Sequence, residues 1–239
     1  MSRYFNRFDH TDAAKFNAFV DQSDAAVNFA VGQLGTKGLL SLISSGGNEL
    51  FSKSYELTDE NVKFYRAVEA SSGEFVIFGS KSKGASEESL MLRVSSTGTI
   101  IWSKTISQDN VTRFVDMVKL GEDFVFLVEL GAEESTFEVV KIQGATGAVM
   151  RDYQASTSEF NFRPQGLEVH GTNVLAYGGT DMNGTMESFY VDFNSSLQVQ
   201  TSETVSDGRY QMVKDVLHKG DDKFAIVGDY HDSRVSMIH

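Results

Sequence analysis

The feature that most constrains this chain is a repeat. A turn rich in glycine, serine and asparagine, followed by a short apolar run, recurs as SSGGNELF (44–51), SSTGTIIW (95–102), GATGAVMR (144–151) and FNSSLQVQ (193–200). Measured on the last small residue of each turn (Gly47, Gly98, Gly147 and Ser196), the spacings are 51, 49 and 49 residues. Glycine and asparagine suit such turns because they tolerate the positive φ that a tight hairpin requires. A second marker keeps the same period. Apolar runs end in Gly32, Gly79, Gly178 and Gly228, and the matching run FVFLV (124–128) carries Val128 in the glycine's place. A fixed period of this length means that each copy is one supersecondary unit burying its faces against its neighbours. Five copies of about 48 residues account for all 239 residues.

Within a copy, four short runs have strand composition. They are clearest in the second: FYRAV (64–68), EFVIFG (74–79), SLMLRV (89–94) and TIIWSKTI (99–106). Runs rich in Val, Ile, Phe and Tyr between Gly, Ser and Asn clusters read as antiparallel strands. No window sustains the apolar spacing of a helix. Four strands per copy at this period predict an all-β fold, a five-bladed β-propeller of four-stranded antiparallel blades. The blades are expected at about 14–57, 61–106, 111–156, 161–206 and 209–239. The fifth copy stops after a third run, SRVSMIH (233–239), and SRYFNRF (2–8) is expected to pair with it and close the ring. Closure removes the open sheet edges that invite aggregation.

The elements VSSTGTIIWSKTI and VVKIQGATGAVMRDY resemble the turn-and-strand element of quinoprotein-like and related bacterial propeller repeats. The resemblance implies a propeller of WD40-like, four-stranded blades. Trp102 is the single tryptophan and the aspartate of that pattern is absent from both copies, so the resemblance carries fold and not activity. In size and blade count the chain also resembles five-bladed lectins of the tachylectin kind and, more distantly, five-bladed glycosidases.

Composition narrows the function classes. The formal net charge is −12, which argues against a nucleic-acid backbone binder, because counterion release needs clustered Lys and Arg. There is no cysteine, so disulfides, thiolate metal sites and cysteine nucleophiles are excluded. No apolar run approaches the roughly 20 residues of a membrane helix, and MSRYFNRFDH lacks a secretory profile. A cytoplasmic location, export by a signal-independent route, or the mature domain of a secreted protein are the expectations that follow, with a monomer as the expected state outside a larger assembly.

Long basic residues precede the innermost strand of four copies: Lys15, Lys63, Arg113 and Arg163, at spacings of 48, 50 and 50. In the fifth copy Gln211 is read into the slot, with Arg209 two residues earlier. In a propeller this slot lies at the mouth of the central channel, where a basic ring on an acidic protein would focus its field on an anion or carboxylate. The plainer account is a set of solvated or inter-blade pairing residues kept by duplication. Glu88, Glu134, Glu187 and Asp232 recur before the third strand, in loops of the kind that form binding surfaces. Asp181, Asn183 and Glu187 have a calcium-loop flavour without its full alternation of acidic ligands. The inner-strand carboxylates are Asp21, Glu69, Asp116, Glu168 and Asp215, and their near-periodicity points to a structural role, since catalytic residues normally break repeat symmetry. The histidines His10, His170, His218, His231 and His239 make no metal-ligand spacing, and no nucleophile elbow or phosphate loop occurs. No metal or cofactor is therefore expected. The aromatics Phe16, Phe64 and Phe114, and Phe29, Phe75, Phe124 and Phe224, are expected to fill inter-blade interfaces.

The functional expectation is a non-enzymatic binding module that presents its loops and channel mouth to a protein partner or small anion. A carbohydrate-binding lectin, a glycosidase-type hydrolase and a component of a phage-like injection particle are the alternatives.

Overall fold

The computed structural model describes residues 14–21, 27–71, 73–84, 86–106, 111–131, 136–155, 161–182, 185–205, 211–220 and 223–230. Every element among them is a strand. The first sheet is β1 (Ala14–Asp21), β2 (Val27–Leu34), β3 (Lys37–Ser44) and β4 (Glu49–Tyr55). The second is β5 (Asn61–Ser71), β6 (Glu74–Lys83), β7 (Ser86–Ser95) and β8 (Ile100–Ile106). The third is β9 (Val111–Leu120), β10 (Asp123–Leu130), β11 (Thr136–Ile142) and β12 (Val149–Ala155). The fourth is β13 (Asn161–His170), β14 (Asn173–Met182), β15 (Thr185–Phe193) and β16 (Val199–Val205). β17 (Gln211–Gly220) and β18 (Lys223–Tyr230) form a two-stranded sheet. All neighbours pair antiparallel in chain order. The expected closing strand (2–8) and the third run of the fifth copy (233–239) lie outside the described residues. The chain forms two compact units, residues 1–108 and 109–239.

The two markers of the repeat have separate physical causes. The turn glycines Gly47, Gly98 and Gly147 have φ of 81°, 69° and 69°. In the fourth copy the left-handed position is Leu197, at φ 53°, and not Ser196. A leucine there costs about 1–2 kcal/mol of backbone strain, offset by its burial in the apolar cluster with Phe193 and Val191. The second marker, the glycine ending β2, β6 and β14 runs, answers to a β-bulge. In each inner strand one extra residue stands opposite the second strand: Asn17, Tyr65, Val115, Gln165 and Lys214. The residues before these bulges pair with Gly32, Gly79, Val128, Gly178 and Gly228. A Cβ at Gly32, Gly79, Gly178 or Gly228 would strike the carbonyl oxygen of Lys15, Lys63, Arg163 or Met212, well inside the 3.0 Å that real Cβ atoms keep. The glycine is required by backbone approach, as bulges and close contacts commonly require.

The bulges also create unpaired backbone groups, which neighbouring sheets satisfy. Asn17 Nδ2 donates to the Phe64 carbonyl at 2.7 Å, and the Arg113 guanidinium donates to the equivalent Pro164 carbonyl at 3.0 Å. Both acceptors sit immediately before a bulge.

The second strands of the four-stranded sheets are buried on both faces, as β6 and β10 illustrate, whereas β16 is exposed throughout. In the first compact unit Phe29 stacks on Phe75 with ring centroids 3.8 Å apart. The register explains why: Phe29 stands three residues before its glycine, while Phe75 stands four before, so the two rings face opposite ways from their own sheets and meet. In the second unit Phe137 stacks on Phe189 (5.2 Å) and takes the edge of Phe162. No helix among the described residues is long and apolar enough to cross a membrane.

Candidate functional site

The basic slot is set by the bulge. Lys15, Lys63, Arg113 and Arg163 each stand two residues before the extra residue, paired across the sheet with Gln33, Ser80, Glu129 and Gly179. The fifth copy's counterpart is Met212, one residue beyond Gln211 and paired with Asp229. Arg209 lies outside the described residues. The four cations are not equivalent. Arg113 is engaged on both sides, by the Glu129 carboxylate at 2.7 Å and by the Pro164 carbonyl. Lys15, Lys63 and Arg163 have no ion-pair partner among the described residues. The repeat thus supplies the position, and the residue opposite decides whether the charge is spent.

The inner-strand carboxylates are tied to backbone donors. Asp116, 7% exposed, accepts from the Met117 amide at 2.8 Å and from the Leu167 amide of the next sheet at 3.0 Å. Glu168 accepts from the His218 amide at 2.8 Å, again in the next sheet. Asp215 accepts from the Val216 amide and from the Tyr177 hydroxyl at 3.3 Å. Asp116 and Asp215 occupy one register position, directly after the bulge, while Glu168 stands two residues further along its strand. Burial, then the carboxylates of Asp215 and Asp116, push the Tyr177 hydroxyl well above its ordinary value. It is a donor held protonated, the opposite of an activated phenolate. Gly166 makes room for it, since a Cβ there would collide with the Tyr177 hydroxyl. This cluster ties sheets together.

The loop carboxylates divide similarly. Glu88 pairs with Lys81 at 2.9 Å, which raises the Lys81 ammonium above its ordinary value. Glu134, Asp232 and Asn183 fall outside the described residues. Among the described residues no group of three or more His, Asp or Glu side chains is arranged to hold a metal ion.

A feature that the sequence reading did not single out lies at the other end of the fourth sheet. A cleft of about 490 Å³ is lined by His170, Asn173, Tyr190, Asp192, Thr201 and Phe224, with Thr172 and Leu175 completing it. Its polar centre is Asp192. His170 Nε2 lies 2.7 Å from Asp192 Oδ1, and Asn173 Nδ2 donates to Oδ2 at 3.1 Å. An ionised carboxylate only accepts, so Nε2 carries the proton of the first bond. The His170 ring meets Phe224 edge-on at 5.1 Å and lies 5.7 Å from His218. Tyr190 donates a short hydrogen bond to Glu203 across the sheet. Burial and that carboxylate push the hydroxyl up to about 12.

The signal for this cleft was in the repeat as a broken rule. The third-strand position opposite Phe29, Val76, Val125 and Leu175 holds Leu42, then Arg93 and Lys141, and then Asp192. Arg93 pairs with Glu74 at 2.6 Å, and Lys141 with Asp123 at 3.2 Å while also donating to the Ser195 carbonyl at 2.8 Å. In the fourth sheet the carboxylate has moved into the cation's place and Asn173 stands where Glu74 and Asp123 stand.

No protein-family model matches the sequence, and no curated protein matches it. Solved structures do match. The Dos1 propeller aligns with a TM-score of 0.58 at 11% identity, covering 93% of this chain and 55% of that one. A neuraminidase-like protein of A/little yellow-shouldered bat/Guatemala aligns with a TM-score of 0.51 at 15% identity, covering 81% and 58%. A mutant of the Synechocystis apocarotenoid oxygenase aligns at 0.52 and 8%, covering 84% and 51%. This chain spans a little over half the length of the structures it matches. At these identities the likeness is one of fold alone: an all-β chain of four-stranded antiparallel sheets with a β-propeller among its structural neighbours.

Proposed function

We propose that the five copies close into one five-bladed ring, residues 2–8 completing the last blade, and that the ring is a non-catalytic binding module for carboxylate- or phosphate-bearing ligands, whether a small anion or an acidic segment of a protein partner. The observation that carries the reading is the register of the basic slot. Four copies place a long cation two residues before the bulge of the innermost strand, and three of those cations have no ion-pair partner among the described residues. In a closed ring this position rims the central channel. Unspent cations there, on a chain of formal charge −12, make a local positive potential in an otherwise repelling surface. Arg113 is paired with Glu129 and the fifth copy carries Met212, so Lys15 and Lys63 of the first unit are the pair that the test removes.

The test is calorimetric titration of the full chain with citrate at low and high salt. Binding that weakens with salt and falls at least fivefold in the Lys15→Ala, Lys63→Ala double variant supports the reading. Equal binding in the variant and the parent overturns the cationic slot, and a signal confined to neutral sugars on a glycan array would replace it with a lectin.

A further inference from the structure

We propose that the cleft of the fourth sheet is a binding site for a small primary ammonium ligand carried on a flat apolar body. The argument begins with the equivalent positions. The second and third sheets place a protein cation on the third strand, Arg93 or Lys141, and an acid on the second strand to receive it. Lys141 shows what that place coordinates: its ammonium lies 3.2 Å from a carboxylate and 2.8 Å from a backbone carbonyl. In the fourth sheet the carboxylate is present, as Asp192, but among the described residues no Lys or Arg lines the cleft, and the basic side chain that meets Asp192 is His170. An acid has been kept beside a space of ligand size with no described Lys or Arg to occupy it.

The carboxylate is also fixed in place. His170 and Asn173 each hold one of its oxygens, and the His170 and Asp192 side chains are only 13% and 17% exposed. Two donors leave a carboxylate's remaining lone pairs available, and a preorganised acceptor loses little entropy when a further donor arrives. Thr172 and Thr201 also line the cleft, Thr201 directly across the sheet from Asp192, and their hydroxyls are of a type that can accept from an ammonium. The Tyr190 and Phe224 rings supply faces for the cation and for the apolar body behind it. The Tyr190 hydroxyl is directed to Glu203, so it adds a second carboxylate behind the ring rather than a competing positive charge.

Benzylamine and benzyl alcohol are the probes, because they share a ring and differ in the charged group. Titrated into the full chain at neutral pH and low salt, benzylamine is expected to bind at least tenfold more tightly than benzyl alcohol. Asp192→Asn is expected to remove that preference, whereas Lys141→Met, in the neighbouring sheet, leaves it unchanged. Thr201→Lys places a resident ammonium at the cleft and is expected to block benzylamine, which decides the matter if Asp192→Asn does not fold. Equal binding of the two probes, binding of methyl glucoside without benzylamine, or no binding of benzylamine to the parent chain each overturns the proposal.

Discussion

The bulge region of the inner strands and the cleft end of the fourth sheet are built by opposite uses of the same repeat. At the bulge, five copies face one backbone problem, and four of them solve it in one way. An extra residue crowds a carbonyl against the second strand, four copies answer with glycine, and the carbonyls of Phe64 and Pro164 immediately before two of the bulges are taken up by Asn17 and Arg113 from the preceding sheet. At the cleft, the fourth sheet departs from the pattern of the second and third, exchanging the Arg93 and Lys141 position for Asp192, while the first sheet carries the uncharged Leu42 there. Where side chains serve backbone geometry the repeat is preserved, and where a charge changes sign the packing opens into a space.

The largest expected effect lies in the bulge. Gly79→Val installs the residue that the third sheet carries at Val128, but here its Cβ would meet the Lys63 carbonyl and the Phe64 ring. Overpacking of this kind costs about 1–3 kcal/mol, and the backbone contact places it at the upper end. Urea unfolding reads it, and a loss under about 1 kcal/mol would show that the bulge does not demand the glycine. Next comes a paired comparison of carboxylates. Asp116→Ala strands two buried amides, those of Met117 and Leu167, for about 2–3 kcal/mol. Asp192→Asn keeps the side chain's size beside an open cleft but turns one of its two acceptors into a donor, and is expected to cost about 1–2 kcal/mol, less than Asp116→Ala. Equal losses would erase the distinction drawn between the two regions.

Alkaline pH sharpens it further. Burial pushes the Tyr55 hydroxyl up to about 12, where it bridges the first two sheets by donating to the Gly98 carbonyl, and Tyr190 rises equally. A raised folded-state value means that the unfolded phenol loses its proton first. The stabilisation from both groups is therefore fully present below about pH 10 and is lost as pH rises toward about 12. Thermal melts across that window are expected to decline, and Tyr55→Phe to flatten part of the decline. An unchanged slope in that variant would mean that Tyr55 is not among the groups responsible.

Much of this was legible in the sequence because it rests on backbone demands that few residues meet. Gly98 and Gly147 announce their turns, and Gly32, Gly79, Gly178 and Gly228 announce the bulge even though the bulge itself leaves no letter in the sequence. Reading failed where tertiary contact overrode the letter. Leu197 takes a left-handed turn that looked like Ser196 because burial repays the strain. Met212 fills a slot that looked like Gln211 because registers count from the bulge, not from the nearest polar residue. The cleft was hidden because His170, Asn173 and Asp192 are dispersed over 23 positions and meet only through the β13–β14 hairpin and the pairing of β14 with β15. The one sequence-level sign was the change from Arg93 and Lys141 to Asp192, visible once the copies are aligned on the bulge.

The smallest predicted effect tests that alignment directly. Lys141 is held by Asp123 and by the Ser195 carbonyl, and its side chain is 13% exposed. Lys141→Met keeps the stem and removes the charge, so only the ion pair and one hydrogen bond are lost. Pairs near the surface are worth about 0–1 kcal/mol, and the expected loss is near the upper end because Asp123 keeps just the Gly144 amide as partner. The reciprocal Asp192→Lys restores the neighbours' pattern in the fourth sheet, yet finds Asn173 where they have an acid, so it is expected to stabilise nothing. If Asp192→Lys instead gained as much as Lys141→Met lost, the fourth sheet would still hold the neighbours' cation site intact, and the exchange of charge would be an accident of the repeat rather than the origin of the cleft.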